Sequence, residues 1–392
     1  MINRRDVFRA LAGGGILSLW GTGMGLAQTQ PRRTAKKKKT APTSEVPSKS
    51  DPRVEDLLGP IRDEHHLPGM IGAVCFGGRL AAIAALGIRK IGSSEPIQID
   101  DQMHMGSCTK AMTATMIGSL VEAGKLSWRS NFRTIFPESA EEFHPQFRDA
   151  TLSHLLTHRA GLPHDGPWWN LPGTTTTQAR HALLTSMLQN PPLTRPGSTY
   201  AYSNVGYALA GLMAERVTAE SWETLMQSRL FDPLEMATAG FGTPGRAGAV
   251  VQPWGHRLDG RDVKPTQHDN APSLGPAGTV HCSVPDWAKF AALHLAGEHG
   301  ESKVLKPATL KTLHIPPPSC EYAGGWTVTE RSWAGGAALN HNGSNTYWFA
   351  TIWVAPARNF AVLLATNQGD KQAERACDQA ASTLIRALPA FA

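Results

Sequence analysis

Five cysteines are scattered through 392 residues, and no two form a C-x-x-C pair. So sparse and odd a set describes no disulfide framework, even in an exported protein. No G-x-x-x-x-G-K-[ST] occurs, which excludes a P-loop, and no G-x-S-x-G occurs, which argues against an α/β-hydrolase elbow. Fifteen histidines supply no H-E-x-x-H: His154 and His158 are four apart, but no glutamate completes the pair, and His65-His66 reads as a surface pair. Structural roles are therefore expected for these histidines, and no metal or cofactor. A basic face for nucleic acid is missing as well. The net charge is +6, but residues 1–50 hold ten Lys/Arg against two Asp/Glu, leaving 28 against 30 in the rest. The basic character belongs to the N-terminal segment, and the body is near neutral.

Long apolar runs are also lacking. Residues 10–27 (ALAGGGILSLWGTGMGLA) are short and glycine-rich for a membrane span and follow the basic stretch Asn3 to Arg9. The order reads as an export signal over 1–27, with Gly25-Leu26-Ala27 as the cleavage site. Arg4-Arg5 with Val7-Phe8-Arg9 resembles a twin-arginine signal; an ordinary secretory signal is the plainer alternative. No transmembrane anchor is expected in the mature form, which should be periplasmic or extracellular. Residues 28–50, rich in Pro, Lys, Ser and Thr, cannot bury a core and read as a disordered basic tether.

What remains, 51–392, has enough apolar residues for a sizeable core: they make up 41% of the chain. VEDLLGPIRDEHHLPG predicts an amphipathic helix stopped by Pro68-Gly69. MIGAVCF and RLAAIAALGI predict two strands joined by Gly77-Gly78. From about 125 to 280 short helical patterns dominate. Strands return after 322, and DKQAERACDQAASTLIRAL predicts a closing helix. The pattern implies an α+β fold: one antiparallel sheet drawn from both chain ends, terminal helices packed on it, and a mainly helical region inserted between. The site is expected at the seam.

Three short stretches carry chemistry. In HMGSCTKAMTATMIGSL, Ser107 and Lys110 stand at the front of an otherwise apolar helix. Residues three apart share a helix face. A serine there is simplest as an N-cap, but a buried lysine is costly unless paired. A desolvated amine loses pKa and can take a proton from a neighbouring hydroxyl. In RPGSTYAYSNVGYALAG, Tyr202 and Asn204 stand on a loop opening an apolar helix. A phenol can share a proton with serine or lysine, and an amide can orient both lysine and substrate; a polar cap with a packed tyrosine is the bland alternative. In LNHNGSN, His341-Asn342-Gly343-Ser344 lies between late strands, where N-G would equally suit a hairpin turn. H-x-G also occurs at His164-Asp165-Gly166 and K-x-G at Lys90-Ile91-Gly92, so order has to decide. Trp168, Trp169 and Trp348 are candidates for a cleft wall, or for core.

S-x-x-K, then Y-x-N, then H-x-G in this order resembles the serine β-lactamase and penicillin-binding-protein superfamily. MGSCTKAMTA, LSHLLTHRAGLP, RPGSTYAYSNVGYALAG, LFDPLEM and LNHNGSN resemble the branch of class C β-lactamases, D-alanyl-D-alanine carboxypeptidases, D-aminopeptidases and related esterases. The resemblance spans essentially 51–392. It implies a β-lactamase/transpeptidase-like fold and an acyl-serine hydrolase. Ser107 would be the nucleophile, and Lys110 with Tyr202 the base. Asn204 would position Lys110 and a substrate amide. The backbone N–H groups of Ser107 and Ser344 would form the oxyanion hole. His341 and Gly343 would line the site, His341 assisting Tyr202 or binding a substrate carboxylate. Many β-lactamases of this group carry lysine where this chain has His341, and a histidine mostly neutral near pH 7 attracts a carboxylate less. No glutamate-bearing deacylation loop is evident, which leaves Tyr202 for that step. The expected substrate is a small molecule or peptide: a D-Ala-D-Ala-type cell-wall peptide, a β-lactam or a small ester. A sensor that binds β-lactam or cell-wall peptide without turnover is the alternative.

Overall fold

The structure, a computed structural model, describes residue 47 and residues 49–391 except 261, 301 and 303. The export signal and nearly all of the tether expected from sequence lie outside the described residues.

Both chain ends build the main sheet, as expected. In chain order its strands are β1 (Gly69–Phe76), β2 (Arg79–Gly87) and, from the far end, β8 (Thr327–Arg331), β9 (Gly336–Ser344), β10 (Phe349–Ala355) and β11 (Phe360–Thr366). They lie in the order β2-β1-β11-β10-β9-β8, with every neighbouring pair antiparallel. Gly77 and Gly78 make the β1–β2 turn with φ of 57° and 71°, which side chains with a Cβ rarely adopt. β11 is buried at every position because it lies inside the sheet with both faces covered.

The two faces bury different cores, and period-2 alternation divides the residues between them. Val74, Val362 and Leu364 face a layer made by the opening helix (Pro52–Glu64) and the closing helix (Lys371–Arg386). Ile71, Ala73, Leu363 and Ala365 join the larger core beneath the helical region. Gly72 lets the terminal helices lie close, since a Cβ there would come within 2.4 Å of Leu58. The opening helix ends at Glu64, before Pro68; His66, at φ 48°, turns the chain first. Asp370 caps the closing helix by accepting from the Gln372 and Ala373 amides at 3.0 Å.

The inserted region is less purely helical than the sequence implies. It carries β4 (Gly240–Phe241), which joins a small sheet with β3 (Gln102–His104), from before the region, and β7 (Val280–Ser283), at its end; β5 (Gly255–Asp259) pairs with β6 (Asp262–Thr266) in another. β3 leads directly into a 3-10 turn at Gly106–Cys108 and then the helix Thr109–Glu122. That helix is buried on nearly every side, which accounts for its unpatterned apolar sequence. All five cysteines are free thiols. Among the described residues, no helix is long and apolar enough to cross a membrane.

Candidate active site

Ser107 lies in the 3-10 turn, one residue before the position that would cap the helix, and no side chain caps this helix start. Its hydroxyl is engaged elsewhere. Lys110 Nζ lies 3.0 Å from Ser107 Oγ, and the Tyr202 hydroxyl donates to the same oxygen at 2.9 Å. The simple capping role is thereby excluded. Cys108, 1% exposed, points away and packs in the core.

Lys110 is completely buried, and the atoms that receive it are uncharged: Ser107 Oγ, Asn204 Oδ1 at 2.7 Å and the Ala277 carbonyl at 2.7 Å. Burial without a directly bonded carboxylate lowers its pKa to about 7, with the Asp165 charge pulling the other way. Tyr202 is shifted in the opposite sense: burial raises its pKa well above the usual phenol value, although the Ser107 contact opposes this. Near neutral pH the amine is thus available as a base, while the phenol keeps its proton.

Asn204 is the first residue of the helix Asn204–Thr218, and Ser203 caps that helix by accepting the Gly206 amide at 3.0 Å. Asn204 therefore points off the helix start. Its Oδ1 meets Lys110 and its Nδ2 donates to Asp165 Oδ1 at 2.9 Å. Asp165 also accepts from Trp168 Nε1 at 3.1 Å and contacts His164 Nδ1 at 2.6 Å. Burial pushes the Asp165 pKa upward, but these hydrogen bonds outweigh it and hold the group below the usual carboxylate value. The second H-x-G thus contributes its middle residue to the surroundings of Lys110.

His341, Gly343 and Ser344 belong to β9 itself; His341 is paired with Ile352, and N-G is no hairpin turn here. Glycine at 343 is required by proximity: a Cβ would sit 2.0 Å from the Met105 carbonyl oxygen and 2.7 Å from the Ser107 nitrogen. Gly106, at φ 48°, is the reciprocal case, 2.4 Å from the Ser344 nitrogen. The backbone before the serine and the end of β9 are therefore pressed together. His341 is 5% exposed, and both ring nitrogens are occupied. Nδ1 donates to the Asn342 carbonyl at 2.6 Å, so Nε2 accepts from the Tyr322 hydroxyl at 2.9 Å. Burial, reinforced by Lys110, lowers its pKa to about 3. A neutral imidazole held in this way does not suit the carboxylate-binding role.

Sequence reasoning missed three contributors. His158 packs against Tyr202 with ring centroids 4.3 Å apart and the planes tilted by 36°, and its Nδ1 accepts the Ser203 amide at 3.0 Å. Tyr322 holds His341. Asp165 is coupled to Lys110 through Asn204. His158 and Asp165 fall in or beside LSHLLTHRAGLP, a segment already matched, but nothing in their local pattern gives them a role. Of the tryptophans, Trp348 is core at 1% exposure, Trp168 is tied to Asp165, and Trp169 is 73% exposed. Among the described residues there is no group of three or more His, Cys, Asp or Glu that could hold a metal ion.

An antiparallel sheet from both chain ends, with a serine and a buried lysine three residues apart at a helix start beside its edge, is the plan of the β-lactamase and penicillin-binding-protein fold. The Beta-lactamase family model matches residues 54–384, and the chain belongs to that family of hydrolases. It is 27% identical over 330 residues to penicillin-binding protein 4 of Amycolatopsis lactamdurans, covering 80% of this chain and 84% of that protein. It is 30% identical over 168 residues to the lovastatin esterase of Penicillium rubens, covering 38% of this chain and 42% of the esterase. In structure it resembles the octameric penicillin-binding protein homologue from Pyrococcus abyssi, with a TM-score of 0.71 and 22% identity over 86% of this chain and 77% of that one.

Proposed function

We propose that the protein is an exported serine hydrolase that cleaves small esters or amides through an acyl-Ser107 intermediate. The observation that carries this reading is the buried Lys110 amine, 3.0 Å from Ser107 Oγ and bonded to no carboxylate. In its neutral form Nζ accepts the serine proton as Oγ bonds to the substrate carbonyl carbon. The backbone N–H groups of Ser107 and Ser344 receive the resulting oxyanion. When the tetrahedral centre collapses, the leaving group takes the proton of Tyr202, which Lys110 replaces. Water then attacks the acyl carbon, giving its proton to the same pair, and the ester bond to Oγ breaks as the pair returns that proton to Oγ. Asn204 keeps Lys110 in line, and Gly343 lets the end of β9 approach the serine.

The neutral His341 favours uncharged acyl substrates over those recognised by a carboxylate. A second reading, D-Ala-D-Ala-type peptides or β-lactams as substrates or as slowly released ligands, is supported by the Amycolatopsis relative, which this chain matches over 84% of its length. Hydrolysis of p-nitrophenyl butyrate, with intact mass after incubation with a penicillin, separates the two. Ester turnover lost in Ser107→Ala, with no penicillin adduct, supports the first reading. A lasting adduct at Ser107 without ester turnover supports the second as a sensor. Full ester turnover in Ser107→Ala excludes both.

A further inference from the structure

The loop 267–270 belongs to no motif described above, yet one dipeptide in it touches three segments around Ser107. The Asp269 side chain is 11% exposed. Its Oδ1 accepts from Asn345 Nδ2 at 2.8 Å and from the Asn270 amide at 2.6 Å, and lies 2.9 Å from His104 Nε2 in a bent contact. His104, completely buried, accepts the Gly106 amide at Nδ1 over 3.0 Å, which leaves its ring proton on Nε2, the nitrogen beside Asp269. Asn345, the residue after β9, accepts the amides of Tyr347 at 3.2 Å and Trp348 at 3.1 Å. Asn270 Nδ2 donates to the Gly278 carbonyl at 2.8 Å, beside the Ala277 carbonyl that holds Lys110.

We propose that Asp269 is a positioning residue: it sets the oxyanion hole by clamping the Gly106–Ser107 turn, through His104, to the Ser344–Asn345 end of β9, through Asn345. The inference rests on the reading of Ser107 as nucleophile. The two clamped segments are the ones proposed to supply the two oxyanion donors. They touch backbone to backbone at Gly106 and Gly343, so packing prevents closer approach but does not prevent separation. Oxyanion donors act only within a narrow distance of the developing charge. A carboxylate oxygen that holds both sides supplies the missing restraint. Without it, the Asn345 amide and the Asn270 N–H lose their acceptor.

The test uses the full chain with Asp269→Ala, Asp269→Asn and Asn345→Ala. The readouts are p-nitrophenyl butyrate kinetics, inhibition by phenylboronic acid, and hydrogen exchange at 104–107 and 344–348. A boronic acid bonds to the serine oxygen as a tetrahedral adduct and presents an oxygen to the hole, so its inhibition constant reports the hole rather than the fold. Asp269→Ala and Asn345→Ala are expected to lower kcat about 100-fold and to weaken the boronate in proportion, with KM changed less than about twofold. Asp269→Asn, which keeps Oδ1, is expected to recover most of both. Exchange should rise at both segments together in Asp269→Ala. Wild-type boronate affinity in folded Asp269→Ala overturns the proposal; if that variant does not fold, the same result in Asn345→Ala overturns it. Exchange that changes at one segment alone also overturns it. A wild-type protein that neither hydrolyses the ester nor binds the boronate fails the Ser107 reading, and the exchange pattern still tests the clamp.

Discussion

Lys110 and Arg180 are both completely buried, one beside the sheet edge at the serine, the other in the helical region. Arg180 meets two carboxylates, Glu215 and Glu223, the latter at 2.5 Å, and donates to the carbonyls of Ser273 at 3.1 Å and Pro272 at 3.2 Å. Lys110 meets a hydroxyl, an amide oxygen and a carbonyl, and the carboxylate whose charge it feels, Asp165, is bonded to the far side of Asn204. Burial costs both charges heavily. Arg180 is compensated by opposite charge and serves to lock helices together. Lys110 is left undercompensated, so its proton is loosely held. The difference between a structural cation and a base here lies in one withheld carboxylate.

The largest effect expected from breaking this contrast is at the serine and lysine. Ser107→Ala and Lys110→Met should each lower ester hydrolysis at least ~1000-fold. Lys110→Met should also raise the free energy of unfolding in urea, by about 1 kcal/mol, because it removes a buried amine whose charge is undercompensated. Arg180→Met should do the reverse: a loss of about 3–5 kcal/mol in urea unfolding, since Glu215 is left buried without its cation, with kcat of the folded enzyme unchanged. Wild-type stability in Arg180→Met would erase the distinction.

The pH dependence sharpens it. The base is the neutral amine, so kcat/KM should climb as pH rises through about 7 and be lost below it. The same shift predicts a stability slope. Between about 7 and the ordinary value of 10.5, the unfolded chain binds the Lys110 proton and the folded one does not. This group therefore makes stability rise with pH across that window, by at most about 1.4 kcal/mol per unit. Comparing urea titrations of wild type and Lys110→Met isolates the slope, and identical slopes would refute the shift. The smallest effect belongs to Asp165→Asn. Asp165 raises the Lys110 pKa, so its removal should move the acid limb of the rate profile to lower pH. An upward movement would mean that Asp165 acts otherwise.

Much of this was legible before any coordinates. S-x-x-K placed Ser107 and Lys110 on one helix face because helical geometry makes residues three apart neighbours. MIGAVCF and RLAAIAALGI read as strands from their short apolar runs and the glycine pair between them. Other features stay open in the sequence for physical reasons. Asn342-Gly343 suits a hairpin turn as well as a site strand because glycine serves both turns and close approach; approach decides it, against the Met105 carbonyl and the Ser107 nitrogen. His104 and Asp269 could not be connected, since 165 positions separate them and no local pattern pairs them.

The sequence by itself determined the apolar strands from both chain ends, the helix that carries Lys110 with Ser107 just before it, and the family to which the chain belongs. These depend on local periodicity, and a period is written in neighbouring residues. The tertiary structure alone decided that Lys110 meets no carboxylate, that His341 is neutral and turned toward Tyr322, and that Asp269 joins both sides of the serine. Each is a matter of burial and of contacts between distant segments. The cost of a charge, and therefore the proton it holds, is fixed by what surrounds it in space.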